Sequence, residues 1–252
     1  VQMLTSDDFR ESLKGASEMD NYIINKNDVI DTSNPSPRVP VCLCLDTSGS
    51  MGYGGSEYGN SPIDELNEGV QLFYNSVRED ETAYYSAEIC IVTFGGSEKL
   101  VEDFANVYQV EKPAHFDANG GTPMGEAVNL ALDRLEQRKN MYKQSGTDYY
   151  QPWLVLMTDG SPNGSTSELD RSIQRVNEMV SNRKLTVFPI GIGNDADMNV
   201  LKQYSPNRPP LKLKGMYFRD LFTWLSQSVS RTSQSIPGDK VALGSVEGWA
   251  TL

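Results

Sequence analysis

The chain has one histidine, His115, only three cysteines, and fewer basic than acidic residues, with Lys and Arg at 22 against 34 Asp and Glu and a net charge of −12. Each shortage excludes something. A Ser-His-Asp hydrolase would have to be built on His115, and Gly49-Ser50-Met51-Gly52 lacks the G-x-S-x-G spacing of a nucleophile elbow. An odd cysteine count, with Cys42, Cys44 and Cys90 inside apolar runs, points to small buried hydrophobes in a reducing compartment rather than to disulfides. The acidic balance repels a phosphate backbone, which argues against nucleic acid as a partner. No stretch approaches the ~20 apolar residues of a membrane span, and the first residues lack the basic flank and apolar run of a signal peptide, so a cytoplasmic protein away from membranes is expected. Neither phosphate-loop signature is present: there is no G-x-x-x-x-G-K-[ST], and Gly191-Ile192-Gly193 lacks the third glycine of a dinucleotide fingerprint.

What is there is an alternation of apolar β-rich runs with helical patterns, the signature of βαβ units and a mostly parallel sheet. Val39 to Leu45 reads as a central strand covered on both faces. Ser61-Pro62 then supplies an N-cap and a first-turn proline, and Leu66, Val70, Phe73 and Val77 recur at helical spacing. Ala87 to Phe94 and Lys99 to Phe104, separated by Gly95-Gly96, predict an antiparallel hairpin at one sheet edge. Met124 to Leu135 and Leu169 to Val180 are amphipathic helices, with a buried strand at Trp153 to Thr158 between them and another at Leu185 to Ile192 beyond. Pro189 is expected to mark a strand end or bulge. A short helix near Met198 to Tyr204, a small strand at Leu211 to Leu213 and a helix from Phe218 to Val229 complete the body.

The fold class expected is therefore α/β, a doubly wound, Rossmann-like and mostly parallel sheet with an antiparallel edge hairpin and helices on both faces. The body runs over 39–231. Residues 1–38 form a polar arm with a short helix at Asp7 to Leu13 and an extended Asn34-Pro35-Ser36-Pro37 linker, and 232–252 form a Ser- and Gly-rich tail whose Trp249 is placed to dock on the body or a partner.

One constellation carries chemistry. The first strand ends in Asp46-Thr47-Ser48-Gly49-Ser50, which sets a carboxylate and two hydroxyls where a parallel strand emerges, the place where open α/β sheets bind ligands. Gly120-Gly121-Thr122-Pro123 opens a helix, and Thr158-Asp159-Gly160 closes the next apolar strand. Hydroxyl and carboxylate oxygens without His or Cys are a hard-ligand set, suited to Mg²⁺, Mn²⁺ or Ca²⁺. Read blandly, the same residues are turn and cap formers, Thr122 capping a helix and Asp159 making an Asx-turn, roles compatible with coordination.

This D-x-S-x-S pattern, with the later Gly-Gly-Thr and strand-ending Thr-Asp-Gly, resembles a von Willebrand factor A domain with a metal-ion-dependent adhesion site. The resemblance implies a divalent cation, Mg²⁺ in the first instance with Mn²⁺ or Ca²⁺ as alternatives, held directly or through water by Asp46, Ser48, Ser50, Thr122 and Asp159. It also implies a protein partner that supplies an Asp or Glu to the metal, and no enzymatic activity. The D-T-S-G-S-M, G-G-T-P-M-G-E-A and T-D-G-x-P-N segments are further similar to stand-alone bacterial A-domain proteins of tellurite-resistance and stress operons, thought to work with kinase-like and phosphatase-like neighbours. The departure is Gly52 to Ser61, a surface loop carrying Tyr53, Glu57 and Tyr58. Two rivals stand beside this reading. One is a Mg²⁺-dependent phosphatase or other hydrolase using Asp46, although the second Asp such enzymes want two residues on is Ser48. The other is an assembly subunit joined by its terminal arms.

Overall fold

The computed structural model describes residues 29–53, 59–214 and 217–251, and the body is the compact unit Thr32–Leu252. The Asp7 to Leu13 helix, Glu57 and Tyr58 lie outside the described residues. Seven strands are described: β1 (Val39–Asp46), β2 (Ala87–Gly95), β3 (Ser97–Asn106), β4 (Trp153–Thr158), β5 (Thr186–Ile192), β6 (Leu211–Leu213) and β7 (Ala250–Thr251). They form one sheet in the order β3-β2-β1-β4-β5-β6-β7. The inner pairs β2-β1, β1-β4, β4-β5 and β5-β6 are parallel, while β3 and β7 close the two edges antiparallel. The expected hairpin edge is thus present, and a second antiparallel edge is added by residues that composition alone sets apart as a tail.

β1 is buried at every position, so its alternate side chains feed two cores. Val39, Val41, Leu43 and Leu45 face helices α1 (Pro62–Glu79) and α6 (Phe218–Ser233), and Cys42 and Cys44 face α3 (Met124–Ser145), α4 (Thr166–Ser181) and α5 (Met198–Gln203). Cys42, Cys44 and Cys90 are free and buried. A short helix α2 (Glu81–Ser86), capped by Asp80, leads into β2 and is not visible as periodicity because six residues are too few to show it. The start of α1 is a full capping box: Ser61 accepts from the Asp64 amide and the Asp64 carboxylate accepts from the Ser61 amide. α1 and α6 approach closely because Gly69 has no side chain; a Cβ there would lie 2.3 Å from Cδ2 of Phe222.

Pro189 corrects one expectation. β5 runs unbroken through it, with Leu156 paired to Pro189 and no register shift. The proline is tolerated because β6 pairs only with residues 190–192, so no neighbouring strand needs the missing amide on that side. The irregularity sits instead between β2 and β3, around Ile91. At the far edge Trp249 is buried against Trp224 of α6, with ring centroids 5.6 Å apart, and Lys214 donates from its amide to the Trp249 carbonyl at 2.9 Å. No helix among the described residues is long and apolar enough to cross a membrane.

Candidate metal centre

The site lies at the carboxyl ends of β1 and β4. Asp46, the last residue of β1, is fully buried, and the chain then tightens into a 3-10 turn over Gly49–Gly52. That turn swings Ser48 and Ser50 back toward the strand end. The Ser48 amide donates to Asp46 Oδ1 at 2.8 Å, the Ser48 and Ser50 hydroxyls lie 3.0 Å apart, and the Ser50 hydroxyl donates to Asp159 Oδ1 at 2.8 Å. Four of the five expected ligands therefore form one hydrogen-bonded chain, with a carboxylate at each end.

Thr122 joins through backbone. The Gly49 amide donates to the Gly120 carbonyl at 2.9 Å, the Asn119 amide to the Thr47 carbonyl at 2.8 Å, and the Gly96 amide to the Gly121 carbonyl at 2.9 Å. This lacing needs glycine at the crossing: Gly120 has φ +70, and a Cβ on it would meet Gly96 Cα at 2.3 Å. The buried Thr122 is then held by Asn163, whose side-chain oxygen accepts from the Thr122 amide at 2.6 Å while its own amide donates to the Thr122 carbonyl at 3.1 Å.

Two positioning residues fall outside the set read from sequence. Thr158 is buried beneath the site and donates its hydroxyl to Asp46 Oδ2 at 2.5 Å. Asn163 clamps the Thr122 loop. Both stand in the T-D-G-x-P-N segment, so the signal was present, but a spacing rule identifies the residues at the strand end and not those that orient them.

The electrostatics are one-sided. Burial pushes the Asp46 carboxyl up to about 6, the neighbouring Asp159 adds to that, and the Ser48 and Thr158 hydrogen bonds oppose it. Asp159 is also raised, by burial first, with Asp195 contributing repulsion against hydrogen bonds from Ser50 and its own backbone. Every ion pair among the described residues lies elsewhere, and none brings a Lys, Arg or His to either carboxylate. A buried carboxylate beside a second one, bridged by hydroxyls and without a protein cation, is a donor set that a hard divalent ion fits. Among the described residues no three His, Cys, Asp or Glu side chains gather into a group that could hold a metal ion, and three of the five candidate donors are hydroxyls. No hydrogen bond among the described residues joins His115 to Ser48 or Ser50.

No curated protein matches the chain in sequence. Among solved structures it is similar to the PilB minor pilin of Streptococcus sanguinis, 13% identical over 77% of this chain and 62% of that one with a TM-score of 0.54. It is also similar to a von Willebrand factor type A protein of Catenulispora acidiphila, 17% identical over 77% and 43% of the two chains at a TM-score of 0.53. The SpaC pilus adhesin of Lactobacillus rhamnosus GG aligns at 14% identity, 78% and 31% coverage and a TM-score of 0.58. At such identities the likeness is one of fold, and this chain spans less than two thirds of the length of each of these three structures. The family model for the von Willebrand factor type A domain matches residues 41–220, from the first strand through the start of α6, and the chain belongs to that family.

Proposed function

We propose that the chain is a divalent-metal-dependent protein-binding module without catalytic activity of its own. The observation that carries this reading is the uncompensated pair of carboxylates, Asp46 buried and Asp159 half-buried, bridged by Ser48 and Ser50 at the carboxyl edge of the sheet. Asp46, Ser48, Ser50, Thr122 and Asp159 would hold the ion, Mg²⁺ with Mn²⁺ or Ca²⁺ as alternatives, directly or through water. The ion supplies an open coordination position for an Asp or Glu of a partner protein. The chain's own part is preorganisation. Thr158 and the Ser48 amide fix both oxygens of Asp46, and Asn163 fixes the Thr122 loop, so the donors are ordered before a partner arrives. A net charge of −12 disfavours an acidic surface, so the incoming carboxylate belongs in a neutral or basic patch.

By the resemblance of its motifs the module belongs in the bacterial cytoplasm, in a stress-response or tellurite-resistance type of complex with kinase-like or phosphatase-like neighbours. Neither nucleic acid nor a membrane is its partner.

Thermal unfolding after metal stripping, then with Mg²⁺, Mn²⁺ or Ca²⁺ restored, tests the site, because a ligand of the native state raises the midpoint through linkage. The expected result is a rise that disappears in Asp46→Ala. A midpoint indifferent to every cation, or a rise retained by Asp46→Ala, would remove the metal from the proposal. Phosphoester turnover lost in Asp46→Asn would replace binding by hydrolysis.

A further inference from the structure

The opposite end of the sheet carries a second site of reversed sign. A cleft of about 1030 Å³ opens where β4 and β5 begin, between the C-terminal part of α3, the residues just past α4, the end of α6 and the segment 238–243. Six cationic side chains line it, Lys139, Lys143, Arg183, Lys184, Arg208 and Lys240, against only Glu136 and Asp239. The whole chain has 22 basic residues among 34 acidic ones, so this concentration runs against the composition.

These cations are also unspent. The arginines elsewhere that form ion pairs, Arg38, Arg134, Arg138, Arg171 and Arg175, each meet a carboxylate. None of the six in the cleft is ion-paired with a described residue. Arg208 lies over the Phe188 ring at 6.0 Å, and the Glu136 carboxylate is ion-paired to Arg175 at 3.6 Å.

Lys139 is the telling member. Its residue is 9% exposed and lines the cleft, yet its ammonium makes no hydrogen bond or ion pair with a described residue. Burial pushes its ammonium pKa down, Glu136 works against that, and Lys143 and Lys184 repel it further. Basic residues often sit at helix C-termini to complement the helix dipole, which accounts for Lys143 in the last turn of α3 and for Lys184 just past α4. It does not account for Lys139, six residues before the end of its helix at Ser145, or for Lys240 and Arg208 outside helices.

Arg183 adds a backbone observation. It is the one non-glycine among the described residues with a positive φ, 55°, at the position after α4 where glycine is the strain-free choice. The Lys184 amide donates to the Met179 carbonyl at 2.8 Å and closes the helix end as a glycine would allow. An arginine stands where the backbone prefers glycine, and it lines the cleft.

We propose that this cleft binds a small ligand carrying clustered phosphate groups, of the inorganic polyphosphate or nucleoside polyphosphate class. Compact ammonium groups suit phosphate oxygens as point charges, and the volume lies at the upper end of small-ligand sites. A small anion feels the local cationic field inside the cleft, whereas an acidic protein of comparable charge meets the −12 of the whole surface. The cleft uses side-chain charge and no glycine-rich loop, which is why the absence of phosphate-loop motifs does not reveal it.

The test uses the full chain stripped of divalent cations over a chelating resin, so that phosphate cannot act through the metal site. Tripolyphosphate is titrated by calorimetry and by thermal unfolding, with ATP, adenosine, a glutamate-rich peptide and NaCl at matched ionic strength alongside. Saturable binding of tripolyphosphate, weakened at least about tenfold in Arg183→Gly/Lys184→Gln, is expected, since a charged hydrogen bond contributes on that order. Arg183→Gly relieves backbone strain, so the variant folds at least as well, and an intact Mg²⁺ response verifies its fold. ATP binding more tightly than tripolyphosphate assigns a nucleotide, and equal affinity assigns the phosphate chain alone. Absence of saturable binding, an equal effect of NaCl, undiminished affinity in the variant, or tighter binding of the glutamate-rich peptide would each overturn the proposal.

Discussion

Two buried carboxylates stand at opposite ends of two neighbouring parallel strands and are treated in opposite ways. Glu88, near the start of β2, is 2% exposed and receives Arg38 Nε at 3.1 Å, Arg138 Nε at 2.7 Å and the Tyr142 hydroxyl at 2.6 Å. Asp46, at the end of β1, receives only neutral donors from Ser48 and Thr158 and no cation. A buried ionised carboxylate is tolerated when compensated and costly otherwise. Glu88 is compensated from within the chain and holds α3 against the sheet. Asp46 is not, and that missing compensation is what the proposed metal ion would supply.

The largest effect expected from breaking this contrast is at Glu88. Removing the carboxylate in Glu88→Ala leaves Arg38 and Arg138 buried near each other, and loss of one partner of a buried pair costs about 3–5 kcal/mol. Chemical denaturation should show that loss equally with and without Mg²⁺, because the cluster lies at the end of the sheet away from the metal centre. A cost that disappears when metal is added would mean that the two ends are energetically linked and that the contrast is false.

Next in size is the pH response of the metal-free protein. The folded Asp46 carboxyl stands at about 6 against its ordinary value of 3.8. The native state therefore binds this proton more tightly than the unfolded chain, and its contribution to stability is complete below pH 3.8 and lost as pH rises through 6. At about 1.4 kcal/mol per unit the loss is about 3 kcal/mol. Urea midpoints measured between pH 4 and 7.5 in a metal-free buffer should fall with this sign, less whatever the other carboxylates contribute in the opposite direction. Subtracting the same curve for Asp46→Asn isolates the group, and a difference curve flat across that window would contradict the one-sided electrostatics.

Asp46→Asn gives the smaller, directional prediction at neutral pH. An uncharged amide keeps an acceptor for the Ser48 amide and turns a donor toward the Thr158 hydroxyl, which is free to rotate toward the Gly160 carbonyl at 3.4 Å. The metal-free variant should be more stable than the parent by about 1–3 kcal/mol while losing its response to Mg²⁺. A mutation that stabilises the protein and abolishes metal binding separates function from fold more cleanly than a destabilising one.

The contrast also explains what was legible in the sequence. β1, β4 and β5 are apolar on both faces, and the long helices show clear periodicity from Leu66 to Val77 and from Met124 to Leu135, so the α/β architecture reads directly. Asp46, Ser48, Ser50 and Asp159 were legible because a strand end confines their positions. Three things were not. Ala250–Thr251 pair with β6 through backbone bonds, which leave no trace in side-chain pattern. Pro189 follows a general rule about ladders, but the neighbour that suspends the rule is a three-residue strand set by tertiary context. The cationic cleft gathers residues from positions 136 to 243, and no local window shows six charges that meet only after folding.

The finest test of the contrast is Thr158, whose hydroxyl donates to Asp46 Oδ2 from below the site. Valine has the same shape without the donor, so Thr158→Val leaves the packing and removes one hydrogen bond to a buried carboxylate. That bond favours the ionised form, which means its loss should raise the Asp46 pKa further and move the pH transition of the metal-free protein upward. The stability cost should be about 1 kcal/mol and larger above the transition than below it, since a bond to the charged carboxylate is the stronger one. Thr158→Ser retains the hydroxyl and should restore the parent transition despite losing a methyl group. If valine and serine behave alike, the hydroxyl is only a packing element, and the ordering of Asp46 rests on Ser48.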